Sequence, residues 1–328
     1  MPKKAIVLFS GGLDSLLSTK ILQEQGFEVI PVYFKLPISC ANYSPDSKQL
    51  GLKLVTFDCT KGKLFKEYIK MLKHPKFGYG SAINPCIDCK IFMLRKAKEY
   101  AKKKKIEVIA TGEVLEERPM SQNLRALKLI EEETDLNNEI LRPLSAKLLE
   151  KTKAEEKGLV ERKKLLSIKG RKRNQQISLA QKYSIKFPSP AGGCILTDKM
   201  FMLKLIDLFK NKSRIEPRDI ELLKFGRHFR INKKKIIISR NEQESKVLLN
   251  LARDEILMEP KELPGPLTVI EKTNDKKIIE FAAKLTVRYI PCNKSIIIYG
   301  NKKEYPNLKK EMISSAATEK EINHFRIY

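Results

Sequence analysis

The segment FSGGLDS, residues 9–15, contains residue types that can hold an anion. Its adjacent glycines allow a tight turn with exposed backbone N–H groups, and its serines add hydroxyl donors beside a predicted helix start. Asp14 could bind a metal ion or cap that helix. The segment fits neither GxxxxGK[ST] nor GxGxxG, so it differs from the two commonest nucleotide loops. The predicted phosphate-binding residues are Ser10, Gly11, Gly12, Asp14 and Ser15.

A second chemical feature is the pair Cys86 and Cys89 in the segment NPCIDCK, residues 84–90. Such a pair can be half of a zinc knuckle, a redox pair, part of an iron–sulfur site or a coincidence. A tetrahedral zinc site normally has four ligands. No second CxxC and no HxxxH occurs, and the three histidines are widely separated in the chain. A zinc ribbon is therefore disfavoured.

Cys194 is the thiol that could join this pair. It ends the turn-rich segment FPSPAGGC, residues 187–194, and a loop thiol beside glycines is accessible and can be positioned. The three thiols could hold three irons of a 4Fe-4S cluster. They could equally provide one nucleophilic cysteine and one that carries a persulfide. Cys59 is expected in the core, and Cys40 and Cys292 have no predicted role.

Alternating strand and helix patterns must position these groups. The predicted strands are residues 5–10, 28–34, 53–58, 108–112 and 139–145, and the predicted helices are 14–26, 62–73 and 90–105. This alternation predicts an α/β, Rossmann-like fold, in which a parallel sheet has helices on both faces. Ligands of such sheets bind beyond the carboxyl ends of the strands. Phe34 and Gly112 stand at two of these predicted ends.

The pattern changes in the second half of the chain. Residues 147–187 are expected to form a basic, helical insertion, and residues 188–198 a cysteine loop. Helix and strand patterns then mix, with an Asn-Lys turn between two β runs. We therefore predict a first domain over 1–200 and a smaller α+β domain over 201–328.

Charge composition restricts the partners. Sixty-five Lys and Arg residues against 39 Asp and Glu give a formal net charge of +26, which favours nucleic acid over an anionic membrane. Lys enrichment also occurs in thermophile proteins, although usually together with Glu. The lysines at 102–105 and 233–235 are expected on solvated faces. No apolar run is long enough to span a membrane and no signal-peptide pattern occurs, so a cytoplasmic location is expected.

These motifs resemble those of a known family. SGGLDS matches the SGGxDS motif of the PP-loop ATP pyrophosphatases, which have a HUP-type Rossmann-like fold and cleave ATP to AMP and pyrophosphate. NPCIDC, ATGEVLEERPMSQN and PSPAGGCILTD are similar, in the same order, to segments of PP-loop tRNA thiouridine synthetases. The 2-thiouridylases commonly have Asp at the position of Cys86, so Cys89 and Cys194 are the shared pair. With the added Cys86, the set of cysteines resembles that of the three-cysteine, cluster-dependent enzymes. Residues 222–271 resemble the RNA-binding domain of the NFACT ribosome-quality-control proteins.

The resemblance implies ATP-dependent thiolation of a tRNA uridine. The carbonyl oxygen would attack the α-phosphate of ATP, and the loop with Mg²⁺ would neutralise the leaving pyrophosphate. Sulfur would then displace AMP. It would come from a 4Fe-4S cluster on the three cysteines or from a persulfide on Cys194, which Cys89 would release by forming a disulfide. The backbone of Phe34 would meet the adenine, and Gly112 would permit close approach of the nucleotide.

The implied partners are tRNA and a sulfur donor, which would be sulfide, a cysteine desulfurase or another persulfide carrier; a homodimer is one option for the assembly. The basic residues expected to contact tRNA phosphates are Arg118, Lys147, Arg171, Lys172 and Arg173. Three alternatives stay open. One is a PP-loop amidotransferase or ligase, which needs an ammonia source. The others are an RNA-binding adaptor with a structural metal knuckle, and a cluster-dependent desulfidase that needs no ATP.

Overall fold

The chain divides into two units, Met1–Thr197 and Asp198–Tyr328. The computed structural model describes residues 3–39, 45–80, 83–188 and 194–327. Cys40, Pro190 and the glycines that precede Cys194 therefore lie outside the described residues. Among the described helices, none is both long and apolar enough to cross a membrane.

The first unit is built on a parallel sheet with the strand order β3-β2-β1-β4-β5. Its strands are β1 (Lys4–Leu8), β2 (Glu28–Lys35), β3 (Val55–Asp58), β4 (Val108–Thr111) and β5 (Ile140–Leu141). The central strand β1 pairs with β2 on one side and β4 on the other, so that Ile6 lies between Ile30 and Ile109. Ile6 is fully buried because helices cover the sheet. The predicted Rossmann-like α/β fold is confirmed.

The helices described in the first unit are interspersed with its strands along the chain. They are α1 (Leu13–Glu24), α2 (Gly62–Lys73), α3 (Cys86–Lys104), α4 (Leu124–Thr134), α5 (Lys153–Glu156) and α6 (Asn174–Lys182). In α2, the buried residues Phe65, Tyr68, Ile69 and Leu72 follow the helical repeat. The helix α3 begins at Cys86 and not near residue 90, so both cysteines of the pair lie in its first turn.

Residues 147–187 are not the continuous helical insertion that the sequence suggests. In this fully described range the α-helices are α5 and α6, and the 3-10 turns Ala146–Leu148 and Arg162–Lys164 flank α5. Gly158 follows α5 with a φ of 69°, and Gly170 precedes α6 with a φ of 83°; a right-handed helix cannot continue through either conformation. The buried side chains of this range join the core beneath α1 as part of an irregular segment.

The second unit has an antiparallel sheet with the order β11-β10-β8-β9-β7-β6. Its strands are β6 (Arg227–Ile231), β7 (Lys234–Ile238), β8 (Ile256–Pro260), β9 (Thr268–Ile270), β10 (Lys294–Asn301) and β11 (Lys310–Ser315). Its helices are α7 (Lys199–Asn211), α8 (Pro217–Leu222), α9 (Glu242–Leu251), α10 (Lys276–Arg288) and α11 (Glu319–Phe325). The predicted Asn-Lys turn joins β6 to β7, with φ of 43° at Asn232 and 66° at Lys233. The expected α+β architecture is confirmed.

Lys235 departs from the expectation that residues 233–235 lie on a solvated face. Its side chain is only 12% exposed and its Nζ lies 3.8 Å from Oδ2 of Asp207. Burial lowers the pKa of Lys235 to about 8. The alternation of a β-strand turns this lysine inward, whereas Lys233 in the turn is exposed.

Candidate nucleotide and thiol sites

The SGGLDS loop lies between the carboxyl end of β1 and the first turn of α1. Gly11 has a φ of 75°, a left-handed conformation that glycine adopts without strain. The loop is closed by its serines, because Gly12 N–H donates to Ser10 Oγ at 3.3 Å and Ser15 Oγ donates to Gly12 O at 2.8 Å. The N-terminus of α1 therefore lies beyond the carboxyl end of the central strand β1, where its partial positive charge can hold an anion.

The structure gives Gly112 a second role. The sequence suggested that this glycine lets the nucleotide approach closely, but it also lets the loop backbone approach the end of β4. A Cβ at this position would lie 2.6 Å from the backbone N of Ser15 and 2.8 Å from the carbonyl carbon of Asp14. The end of β4 therefore touches the backbone of the loop itself, and only glycine allows this distance. Gly112 fixes the loop against the sheet.

Asp14 points into a charged cluster beside the loop. Its Oδ2 lies 3.4 Å from Nη2 of Arg173, and the same guanidinium lies 2.6 Å from Oε1 of Glu117. Burial, and then the negative charge of Glu117, raise the pKa of Asp14 to about 6, while Arg173 opposes the increase. Oδ1 of Asp14 is buried without a hydrogen-bond partner. Two carboxylates thus meet at the phosphate loop, bridged by one cation.

Phe34 contributes its backbone to the carboxyl edge of β2 while its ring lies in the core. The ring is 6% exposed and stacks on Phe57 with centroids 5.0 Å apart. The expected contact of the Phe34 backbone with adenine stays a prediction.

The first turn of α3 presents Cys86 and Cys89. Pro85 precedes it, and the Cys89 N–H donates to Pro85 O at 2.9 Å. Between the thiols, the buried carboxylate of Asp88 accepts hydrogen bonds from the backbone N–H groups of Lys76 and Phe77 at 2.7 and 3.1 Å. Asp88 therefore anchors the preceding loop, which leaves the two cysteines as the reactive groups of this turn.

Cys194 lies within electrostatic range of these two thiols. Negative charge on Cys194 raises the pKa of Cys89, and negative charge on Cys86 raises the pKa of both Cys89 and Cys194. Burial, followed by the charge of Cys194, raises the pKa of Cys89 to about 12. A thiolate at Cys89 would therefore need a compensating cation or hydrogen bond.

The kind of metal centre that the three thiols could hold depends on how their side chains are arranged. In the described parts of the chain, no three His, Cys, Asp or Glu side chains are placed to hold one metal ion. A 4Fe-4S cluster makes a different demand, because each cysteine binds a different iron. Three soft sulfur donors that influence one another fit such a cluster better than they fit a single zinc ion.

The segment after β4 links the loop to the thiols. Glu117 contacts Arg173 beside Asp14. Burial raises the pKa of Cys86 and of Cys194, and the positive charge of the neighbouring Arg118 opposes both increases. Consecutive residues therefore reach the two groups of site residues that the sequence proposed separately.

The basic residues proposed to contact tRNA have different environments. Arg118, Lys147, Arg171 and Lys172 are exposed, although Nζ of Lys147 donates to the Lys163 carbonyl at 2.9 Å. Arg173 instead turns inward to the carboxylates at the phosphate loop, because α6, which begins next to it, packs against α1. Its position favours a role at the nucleotide over a role at tRNA.

Two residues of the site are not apparent from the sequence. Glu117 is one of several acidic residues after β4, and only the fold brings it to Asp14. Tyr68 belongs to the apolar stripe of α2, which predicts a core position. Its hydroxyl nevertheless lies 3.6 Å from the Cys89 sulfur.

Comparisons with known proteins agree with the motifs. Residues 1–156 match the sequence family "Thiamine biosynthesis protein (ThiI)", and residues 226–326 match the "NFACT protein RNA binding domain". The resemblance to PP-loop tRNA thiouridine synthetases and to the NFACT domain is therefore confirmed, and the NFACT match extends beyond the segment 222–271 that first indicated it.

Individual relatives are similar over part of their length. The tRNA-specific 2-thiouridylase MnmA of a Nitratiruptor species is 32% identical over 120 residues, which are 34% of this chain and 35% of that protein. A probable tRNA sulfurtransferase of Methanosarcina mazei is 30% identical over 122 residues, which are 34% of this chain and 28% of that protein. The chain thus matches about a third of the length of these curated relatives.

Among solved structures, a 4-thiouridine synthetase–RNA complex with bound ATP aligns over 68% of this chain and 50% of that one, with 18% identity and a TM-score of 0.41.

Proposed function

We propose that this chain, whose first 156 residues match the ThiI family, is an ATP-dependent tRNA sulfurtransferase that converts a uridine to a thiouridine. The observation that carries the proposal is that the consecutive residues Glu117 and Arg118 reach the phosphate loop and two of the thiols, Cys86 and Cys194. An anion-binding loop alone fits many ATP enzymes, and clustered thiols alone fit many metal proteins. Their combination in one unit fits activation of a carbonyl oxygen followed by its replacement with sulfur.

The first step would use the loop. A uridine carbonyl oxygen attacks the α-phosphorus of ATP, the bond to the bridging oxygen breaks, and pyrophosphate leaves. The amide of Gly12, the hydroxyls of Ser10 and Ser15 and the N-terminus of α1 would stabilise the charge of the leaving group. Oxygen ligands suit Mg²⁺, and the free Oδ1 of Asp14 with the adjacent Glu117 fits it. Mg²⁺ bound there would add positive charge at the phosphates, and Arg173 would then be free to contact them.

The second step would use the thiols. Sulfur attacks the activated carbon, and the carbon–oxygen bond breaks so that AMP leaves with the former carbonyl oxygen. We propose that Cys86, Cys89 and Cys194 hold a 4Fe-4S cluster, which would supply an iron site for inorganic sulfide. The helix N-terminus at Cys86 and the charge of Arg118 would stabilise the bound thiolates.

A persulfide mechanism is the second candidate, favoured by the exposure of Cys194. Cys194 would carry the outer sulfur from a desulfurase or another persulfide carrier, and Cys89 would form a disulfide with Cys194 as that sulfur transfers. An external thiol would then have to reduce the disulfide. Cys86 has no part in this scheme, which makes the two candidates separable.

The second unit would bind tRNA, because it contains the match to the NFACT RNA-binding domain. The net charge of +26 agrees with a polyanionic partner. Arg171 and Lys172, which lie in the first unit, would add phosphate contacts. Such an enzyme would act in the cytoplasm.

The proposal is tested by AMP formation from ATP with unmodified tRNA. We expect AMP only in the presence of tRNA, and none from Asp14→Ala. Equal AMP release without tRNA would indicate another acceptor, as in a ligase or amidotransferase. Iron analysis after anaerobic reconstitution separates the sulfur schemes: Cys86→Ala should lose iron and thiolation in the cluster scheme, but should keep thiolation in the persulfide scheme. Stoichiometric zinc without iron would contradict the cluster.

A further inference from the structure

The hydroxyl of Tyr68 is a polar group buried beside the thiol site. Tyr68 has no solvent exposure, and its ring packs edge-on against Phe92 with centroids 5.4 Å apart. Phenylalanine would make the same ring contact. A buried hydroxyl is costly unless it forms a hydrogen bond, so the oxygen needs a separate explanation.

Cys89 provides the hydrogen-bond partner for this hydroxyl. The Tyr68 oxygen lies 3.6 Å from the Cys89 sulfur, within the longer range of hydrogen bonds to sulfur. Either group could donate while Cys89 is a neutral thiol. A thiolate has no proton, so Tyr68 must be the donor whenever Cys89 is ionised or bound to a metal.

We propose that Tyr68 is a positioning residue of the thiol site, whose hydroxyl donates a hydrogen bond to Cys89 Sγ, orients this sulfur and withdraws electron density from it. The helices α2 and α3, which carry the two residues, pack against each other. Cys86, one turn away and more accessible to Arg118, has no such donor from α2 among the contacts that the structure describes. The two cysteines of the pair are therefore electronically different.

The inference rests on the proposed function in one respect, namely that Cys89 binds iron or acts in sulfur transfer. The Tyr68 hydrogen bond should raise the reduction potential of a bound cluster, because hydrogen bonds to ligand sulfurs generally raise that potential. Its effect on the free thiol follows from the same contact, since the hydrogen bond stabilises the thiolate.

The test compares Tyr68→Phe with wild type and with Tyr100→Phe. Tyr100 lies half-buried on α3 and contacts Phe57 in the same unit, so its variant controls for loss of a tyrosine hydroxyl that makes no described contact with the thiols. After anaerobic reconstitution with iron and sulfide, the three proteins should contain equal iron. The reduction potential of Tyr68→Phe should be more negative than that of the other two. An unchanged potential in Tyr68→Phe would overturn the inference.

A second measurement does not depend on a cluster. In the metal-free, reduced protein at alkaline pH, alkylation of Cys89 by iodoacetamide is measured relative to Cys292 by peptide mass spectrometry. Tyr68→Phe should lower this ratio roughly fivefold, the change expected from one hydrogen bond, and Tyr100→Phe should leave it unchanged. An unchanged ratio in Tyr68→Phe would contradict the hydrogen bond. Absence of iron from the wild type would contradict the cluster instead, and would leave this ratio as the deciding result for Tyr68.

Discussion

The guanidinium of Arg173 lies 3.4 Å from the Asp14 carboxylate, although the two residues are 159 positions apart in the chain. The contact places a cation from the segment before α6 at the first turn of α1. Asp14 follows the glycines that would surround the phosphates, so Arg173 occupies the neighbourhood that a nucleotide and its metal would enter. The positive charge of Arg173 therefore lowers the pKa of Asp14 and favours its ionised form.

The first prediction concerns the pH dependence of AMP formation. Burial and Glu117 raise the pKa of Asp14 to about 6, and the carboxyl must be ionised to bind Mg²⁺. Activity should thus rise as the pH increases through about 6. Arg173 lowers this pKa, so Arg173→Gln should move the acid limb upward by roughly one pH unit.

The matched control is Arg171→Gln, which removes an exposed positive charge two residues away. Its acid limb should coincide with that of the wild type. An Arg173→Gln profile with an unshifted acid limb would show that Asp14 does not control the rate.

The second prediction uses two glycines of the loop region. A Cβ at Gly112 would lie 2.6 Å from the Ser15 backbone, whereas a Cβ at Gly12 would be 3.4 Å from Ser10 Oγ. Gly112→Ala should therefore lower the free energy of unfolding by about 1–3 kcal/mol. Gly12→Ala should unfold like the wild type but lose ATP binding, because its methyl group narrows the anion site. Urea unfolding and ATP titration measure the two effects, and equal stability loss in both variants would refute this assignment.

The third prediction concerns a buried ion pair beneath the site. Arg142 is 3% exposed, contacts Glu131, and lies 3.2 Å from Glu113, which is 1% exposed. Against the opposing effect of burial, the charges of Lys90 and Arg142 hold the pKa of Glu113 below its ordinary value. Arg142→Met should cost about 3–5 kcal/mol, because it removes the guanidinium that pairs with the buried Glu113 carboxylate and with Glu131.

An exposed pair provides the comparison for Arg142. Lys128 and Glu150 lie 2.7 Å apart, with side chains 53% and 64% exposed. Lys128→Met should change the free energy of unfolding by less than about 1 kcal/mol. Similar urea midpoints for Arg142→Met and Lys128→Met would argue against a stabilising role for the buried network.

The fourth prediction concerns tRNA binding. Arg171 and Lys172 are exposed, and loss of one phosphate contact reduces the slope of log affinity against log salt by about one. Arg171→Gln and Lys172→Gln should each show this reduction in a fluorescence titration. Lys103→Gln, an exposed change at the end of α3, should retain the wild-type slope. Identical slopes for all three variants would remove the segment 171–172 from the tRNA interface.

Local patterns account for most of the fold that could be predicted. The helix predicted over 62–73 has the same bounds as α2, whose apolar stripe is Phe65, Tyr68, Ile69 and Leu72. The strand predicted over 28–34 differs from β2 by one residue. The helix α4 is absent from the sequence-based prediction, although its apolar residues have helical spacing and Ala126, Leu127 and Ile130 are buried. The positive-φ glycines at 158 and 170 explain why a basic, helix-like composition does not produce one helix over 147–187.

The candidate site was predictable where a motif is continuous in sequence. SGGLDS and CxxC identify their own chemistry, and glycines beside Cys194 suggest a positioned thiol. Arg173 within a basic run has no pattern that distinguishes an inward side chain from Arg171 and Lys172. Tyr68 has no pattern that distinguishes a core phenol from a hydrogen-bond donor. Those roles depend on contacts between helices distant in sequence.

The most direct test of the central claim is mass spectrometry of tRNA nucleosides after anaerobic incubation of the reconstituted protein with unmodified tRNA, ATP and sulfide. With the wild type, a uridine of the tRNA should gain the mass difference between sulfur and oxygen. No such product should form with Asp14→Ala or Cys194→Ala. Thiouridine that forms without ATP, or tRNA that stays unmodified while AMP accumulates, would contradict the proposed reaction.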